Sequence, residues 1–173
     1  MAEDRGAFTA ATGRQLEAAG RDKPRYRRYQ YDLIAPHCGR TILEVGAGLG
    51  EFAEQFDDVD RLVLTDVDPG AVDLMARRFA GRPEVQTRTL ALGVAPELDE
   101  PVDSVVAINV LEHIEDDAGA LRSLATAVQP GGSIVLWVPG YQQLYGEFDR
   151  KVGHVRRYTP STLASAVRRA GLD

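Results

Sequence analysis

The stretch Thr41-Ile-Leu-Glu-Val-Gly46-Ala-Gly48-Leu-Gly50-Glu51 decides how this chain folds. Its first half is an apolar run too short for a helix, and it ends in glycines, which reads as a buried strand entering a tight turn. Glycine lets the backbone bend sharply and lets a ligand approach the main chain. The spacing is Gly-x-Gly-x-Gly. A dinucleotide fingerprint needs its third glycine one position later, where Glu51 stands, so the turn fits a pyrophosphate poorly. Glu44, just ahead of the turn, is a bad neighbour for a pyrophosphate and a good one for a cationic ligand.

Upstream, residues 1–24 are rich in Ala, Gly and charge and end at Pro24. They read as a flexible arm, with a short helix at 15–19, ahead of one domain over 25–173. Tyr26, Tyr29, Leu33 and Ile34 recur at helical spacing and predict a helix over 25–35, stopped by Pro36 and Gly39. Downstream, a helix is expected over 51–56, a strand over 62–65 and a helix from Pro69 to about 79. Further strands are expected over 85–90, 104–108 and 133–138. A helix over 118–128 carries Leu121, Leu124 and Val128 on one face and closes at Pro130-Gly131-Gly132. Thr159-Pro160-Ser161 caps a last helix to about 170. Strands alternating with helices, and buried on both faces, imply a parallel sheet covered on both sides. The fold class is therefore α/β, a Rossmann-like doubly wound sheet, and ligands of such sheets bind outside the carboxyl ends of the strands.

A length of 173 residues suits one domain, and 44% hydrophobic residues can build its core. The net charge of −6 gives no reason to expect nucleic acid as a partner. Arg21, Lys23, Arg25, Arg27 and Arg28 cluster locally; a solvated helix face is favoured over an RNA-binding arm. The single cysteine, Cys38, excludes an internal disulfide, and beside His37 it makes no metal set. No apolar run is long enough for a signal peptide or a membrane span, so the expected location is the cytoplasm.

Two more constellations sit at expected strand ends. Asp66 follows Gly46 by 20 residues, where a carboxylate can hold a ribose diol. It can also cap a helix, a role Asp68 can share ahead of Pro69. Asn109-Val-Leu-Glu-His-Ile114 follows the fourth strand directly.

Together with the glycine turn, these motifs resemble the class I S-adenosylmethionine-dependent methyltransferases, from about Tyr26 to Leu172. The resemblance implies S-adenosyl-L-methionine as cofactor and assigns roles to the matching positions. Glu44 would orient the methionine amino group. Gly46, Ala47, Gly48 and Gly50 would close the turn over the methionine and ribose. Asp66 would hold the ribose hydroxyls, with Val67 against the adenine. Asn109 would meet the methionine end. The family often has an Asp at the end of its third strand; Ala91-Leu92 stands there, so the adenine contact falls to the backbone or elsewhere. Tyr26 and Tyr29 match aromatics that close over the cofactor, although Tyr29 fits a core stripe equally well.

A later segment runs Val138-Pro-Gly-Tyr-Gln-Gln-Leu-Tyr145-Gly, then Asp149, then Gly153-His-Val-Arg-Arg-Tyr-Thr159. It is similar to a bacterial branch of the family. The segment is long, polar and without periodicity, and loops of that kind are usually functional. It reads as a substrate lid in which Tyr145, Arg156, Arg157 and Tyr158 face the acceptor. The competing reading is structural: the arginines pair with surface acids and Tyr158 staples the last helix.

The expected reaction is methyl transfer to a small-molecule or glycan- or lipid-linked acceptor through an O or N nucleophile. A hydroxyl nucleophile profits from a general base; His154 is the first choice and His113 the second. Glu112, His113 and His154 could instead hold a divalent metal, as some relatives do with Glu-x-x-Glu-His, but Asn109 is a poor ligand at that corner, so no metal is expected. Two other functions compete: a non-catalytic cofactor-binding partner or sensor, and a NAD-dependent oxidoreductase, which the glycine spacing and Glu44 disfavour. The family's sheet usually ends in an antiparallel strand pair, and this sequence stops at Asp173 before one. An unpaired sheet edge would invite a homodimer.

Overall fold

The computed structural model describes residues 24–91 and 94–173. The expected arm therefore lies outside the described residues, except Pro24, and so does the short helix at 15–19. The elements are α1 (Pro24–Ile34), β1 (Thr41–Val45), β2 (Arg61–Asp66), α2 (Pro69–Arg78), β3 (Val85–Thr89), β4 (Val102–Ile108), α3 (Asp117–Ala125), β5 (Val128–Trp137), α4 (Glu147–Val152) and α5 (Pro160–Arg169).

All five strands are parallel, in the order β3-β2-β1-β4-β5. The chain winds outward from β1 in one direction and then returns to its other side, so the switch point lies between β1 and β4. Alternate strand residues feed two cores. Ile42, Leu62, Leu64 and Val106 pack with Ile34, Phe52, Phe56, Met75 and Phe79. Leu43, Val45, Val63, Val105 and Ala107 pack on the opposite face with Leu124 and Ala127. In β1 the buried residues at consecutive positions follow from this two-sided covering.

Helix α1 runs back across the first face. Ser133 Oγ donates to the His37 carbonyl at 2.7 Å and the Gly39 N–H to Ser104 Oγ at 2.9 Å, which pins the α1–β1 connection at the amino edge. At the other end the Tyr26 and Tyr29 rings meet Trp137, the last residue of β5, at 6.3 and 6.4 Å, and Arg27 pairs with Glu51 after the glycine turn.

Four expectations change. The buried stripe of α1 is Gln30 and Ile34; Tyr26, Tyr29 and Leu33 are about half exposed. The helix expected over 51–56 is a single 3-10 turn, Ala53–Gln55. Helix α3 stops at Ala125, and β5 already begins at Val128, which pairs with Val102. Pro130 is tolerated there because β5 is an edge strand of the sheet and its register shifts between Val102 and Ser104. Lastly, the lid contains a helix, α4. Glu147 and Lys151 pair across one turn, and Gly153 closes the helix at φ 81°. Among the described residues no helix is long and apolar enough to cross a membrane.

Candidate functional site

The glycine turn sits at the carboxyl end of β1. Gly46, Gly48 and Gly50 have φ of 68°, 59° and 74°, the left-handed region that favours glycine. A Cβ at Gly46 would meet Val110 Cγ2 at 2.6 Å, and one at Gly50 would meet the Phe79 ring at 2.5 Å, so these two glycines also admit close packing. At Gly48 a Cβ would meet nothing within 4 Å. The turn thus presents bare backbone to open space at Gly48.

Asp66 fixes this turn. Its Oδ2 accepts from the Gly48 N–H and its Oδ1 from the Asp68 N–H, both at 2.9 Å. Asp68 caps α2 through Gly70, so the capping role that the sequence offered to both aspartates falls to Asp68. The Ala47 N–H donates to the Thr65 carbonyl at 2.8 Å. Beside Asp66, at the ends of β2 and β3, lies a cavity of about 360 Å³ lined by Thr65, Leu90, Ala91, Val94 and Leu98. Ala91 is thus at a pocket wall; Leu92 lies outside the described residues. Val67 is exposed at the strand end.

Glu44 is paired in register with Leu64 and Val106, in the middle of the sheet. It is 3% exposed, its Oε2 has no hydrogen-bond partner, and burial pushes its carboxyl up to about 8. Gln30, on the buried side of α1, also has a buried and unpartnered amide nitrogen. Each unmet buried polar group costs about 1–3 kcal/mol, a cost that a complementary ligand removes.

At the end of β4, Asn109 adopts φ 53°, an uncommon conformation for a residue with a side chain and one that clusters at functional sites. A 3-10 turn, Leu111–His113, follows. Glu112 is fully buried, and neither carboxylate oxygen has a hydrogen-bond partner. Burial, with Asp149 nearby, pushes it up to about 7. The His113 and His154 rings meet edge to face at 4.7 Å, and His154 Nε2 lies 3.8 Å from Glu112 Oε1. Burial and the neighbouring His154 lower the pKa of His113. The sequence separates these groups by about 40 residues; the fold brings both candidate histidines to one spot.

The lid is a closed loop. Tyr141 N–H donates to the Tyr158 carbonyl at 2.7 Å, and Tyr158 N–H donates to the Pro139 carbonyl at 2.9 Å. Asp149, fully buried, anchors its interior. Its Oδ1 lies 2.8 Å from His154 Nδ1, and the Arg157 guanidinium grips both oxygens at 2.8 and 2.9 Å, which holds the carboxyl well below its usual range. Tyr145 Oη donates to the His154 carbonyl at 2.7 Å. Arg156 reaches buried Asp117 at 2.7 Å, Arg169 reaches it at 2.8 Å and Tyr158 Oη at 3.3 Å. Arg156, Arg157 and Tyr158 thus engage buried acids, and of the four expected acceptor-facing residues only Tyr145 lies against His154. Sequence reasoning missed three residues: Gln30, Asp117 and Asp149. The spacing Asp149–Gly153–His154 was in view, but nothing in it indicates that Asp149 is buried.

Known proteins resemble this chain in sequence and fold. The family profile described as "Methyltransferase domain" matches residues 8–173. A ubiquinone biosynthesis O-methyltransferase of Paracidovorax citrulli is 29% identical over 160 residues, which cover 82% of this chain and 67% of that one. A Mycolicibacterium smegmatis protein named "Probable S-adenosylmethionine-dependent methyltransferase" is 30% identical over 154 residues, covering 86% of this chain and 59% of that one. Across the first curated relatives the chain spans 47% to 67% of their length. Among solved structures, the N-methyltransferase NodS from Bradyrhizobium japonicum WM9, in complex with S-adenosylhomocysteine, has a TM-score of 0.66 at 22% identity, covering 87% of this chain and 75% of that one. The [4+2]-cyclase SpnF has a TM-score of 0.68 at 22% identity, covering 82% and 56%. A cyclase and a methyltransferase share this fold, so the reaction has to be argued from the site.

Proposed function

The chain belongs to the methyltransferase-domain family, and from that premise we propose that it transfers a methyl group from S-adenosyl-L-methionine to an O or N nucleophile on a small-molecule or glycan- or lipid-linked acceptor. One observation carries the cofactor reading: a buried carboxylate with an unpartnered oxygen, Glu44, stands directly before a turn whose backbone is open at Gly48. That pairing fits a ligand with a cationic amino group and suits a pyrophosphate badly. The rest of the site agrees with it. Asp66 has lone pairs left for a ribose diol after holding Gly48 and Asp68. The cavity at Ala91, beyond the ends of β2 and β3, would take the adenine, with the exposed Val67 and Tyr26 available to cover the cofactor. When bound, the cofactor supplies a methyl group already activated by the sulfonium charge.

The protein's own share is position and a proton acceptor. Asn109, with its left-handed backbone at the end of β4, stands at the switch point, where it would meet the methionine end of the cofactor. Asp149 accepts the Nδ1–H of His154, so the lone pair stands on Nε2. His154 Nε2 takes the proton of the acceptor, and the Glu112 carboxylate 3.8 Å away stabilises the charge it gains. The closed lid excludes water, and Arg156, Arg157 and Tyr158 hold its shape.

A second reading has its own observation. Glu112, His113 and His154 each offer one ligand atom, all within 4.8 Å of one another, and Asp149 and the Gly153 carbonyl orient the two rings from behind. A divalent cation there would orient acceptor oxygens. Calorimetry with S-adenosylhomocysteine and with NAD, on wild type and His154→Ala, tests both readings. The expected outcome is binding of the first ligand only, at equal affinity in both proteins, with turnover on a model acceptor reduced about 10²–10⁴-fold in the variant. NAD binding without S-adenosylhomocysteine binding sinks the proposal. Stoichiometric metal in wild type that is lost in His154→Ala selects the second reading.

A further inference from the structure

Arg156 and Arg157 are neighbours in the chain and turn to different acids. Arg156 reaches out of the lid, to Asp117 at the start of α3 and to the Glu115 carbonyl, both at 2.7 Å. Arg157 stays within the lid. Its Nε donates to Asp149 Oδ1 at 2.8 Å and its Nη2 to Oδ2 at 2.9 Å. The Gly146 N–H donates to Oδ2 at 2.8 Å. Asp149 Oδ1 is also the atom that meets His154 Nδ1, at 2.8 Å. One buried oxygen therefore serves both the guanidinium and the imidazole.

Sharing matters because neither group is fixed by its own torsions. The terminal χ2 of an aspartate or a histidine is broad and roughly two-fold. A turn of the Asp149 carboxylate would take Oδ1 away from the imidazole. A flip of the ring would take Nδ1 away from Oδ1 and move Nε2 from its place 3.8 Å from Glu112 Oε1. Two guanidinium bonds and one backbone N–H leave the carboxylate a single orientation, and a planar fork imposes it where a point charge would not. The backbone on either side is tied as well: the His154 N–H donates to the Asp149 carbonyl at 2.8 Å and Tyr145 Oη to the His154 carbonyl at 2.7 Å. We infer that Arg157 is a positioning residue for the proposed methyl transfer: through Asp149 it sets the orientation and the tautomer of His154. Arg156, which does not touch Asp149, is left with the shape of the lid. The inference rests on the reading of His154 as the proton acceptor.

The test reads the imidazole itself. The chain has three histidines, so NMR of protein carrying isotope-labelled histidine and arginine resolves the His154 ring. In wild type that ring is expected to be one tautomer with its proton on Nδ1. Its proton should show a nuclear Overhauser contact to the Arg157 Nε–H, because both point at Oδ1. Arg157→Lys keeps the charge and removes the fork. In that variant the Nδ1 proton is expected to exchange with solvent at least roughly tenfold faster, and the second tautomer to appear. Arg156→Lys also loosens a buried ion pair of the lid, and it should leave the His154 signal as in wild type. Equal protection of the Nδ1 proton in Arg157→Lys, an equal loss in Arg156→Lys, or no contact with the Arg157 Nε–H in wild type overturns the inference and leaves the role of His154 standing. The wild-type contact decides even where Arg157→Lys does not fold. A wild-type ring with its proton on Nε2 overturns the reading of His154 as proton acceptor, and this assignment with it.

Discussion

Glu44 illustrates how one residue can be costly to the fold and useful to it. It is 3% exposed, and burial pushes its carboxyl up to about 8, so it holds its proton at neutral pH. A ligand ammonium reverses that preference, because the charged pair is favoured once both groups are buried together. The sign follows. Below about pH 8 the free protein carries the proton and the complex does not, so binding releases it, and affinity rises with pH across 6 to 7.5. At pH 7 S-adenosylhomocysteine binding is expected to release about one proton, read from calorimetry in two buffers of different ionisation enthalpy. Glu44→Gln should release none and show a flat pH profile over that range. Proton uptake, or equal release in both proteins, would show that Glu44 does not meet the amino group.

At the scale of elements, the lid is held by buried acids as well as by the apolar packing of Tyr158 with Leu111 and Ala166. Asp117, at the start of α3 and 3% exposed, joins the lid through Arg156 and Tyr158 and α5 through Arg169. Removing it takes a buried acceptor from three donors, although both arginines are partly exposed, Arg156 keeps the Glu115 carbonyl and Tyr158 keeps the Leu111 carbonyl. Asp117→Ala is therefore expected to lower the unfolding free energy by about 2–3 kcal/mol in urea denaturation. Asp58→Ala, which removes an exposed partner of Arg40, should change it by less than about 0.5 kcal/mol. Equal effects would show that the hub is not cooperative. Burial of such hubs is what the sequence conceals. The strands around the glycine turn were legible because uninterrupted apolar runs can only be buried, and Glu44 and Asp66 because they flank that turn at fixed spacing. Helix α1 was legible as a helix but not in phase: its tyrosines marked the period, while the buried stripe is Gln30 and Ile34, and a polar residue facing inward leaves no pattern. Helix α4 has six residues, too few for a period, and only Gly153 and the Glu147–Lys151 pair announce it. Arg156 and Arg157 read as recognition groups because a sequence shows charge and not the acid that meets it.

At the scale of the molecule, the candidate site belongs to no single segment. Glu44 and Gly48 come from β1 and its turn, Asp66 from β2, Ala91 from beyond β3, and Asn109 from the end of β4. The order β3-β2-β1-β4-β5 gathers these positions at one edge, and the long-range register of β1 with both β2 and β4 holds them there. No fragment of the chain presents the whole set, so the unfolded ensemble has no affinity for the ligand. Binding must then stabilise the native state by the full mass-action term, about 2.7 kcal/mol at a ligand concentration a hundred times Kd. For a domain of this size each kcal/mol moves the midpoint by about 2–4 °C, so S-adenosylhomocysteine at that concentration should raise Tm by roughly 5–11 °C in a single transition. Methylthioadenosine at the same multiple of its own Kd should give the same shift, because the term depends on saturation and not on which contacts supply it. A shift well below that range, or a transition that splits in two with only one part moving, would show that a subset of these elements binds the ligand without the assembled sheet.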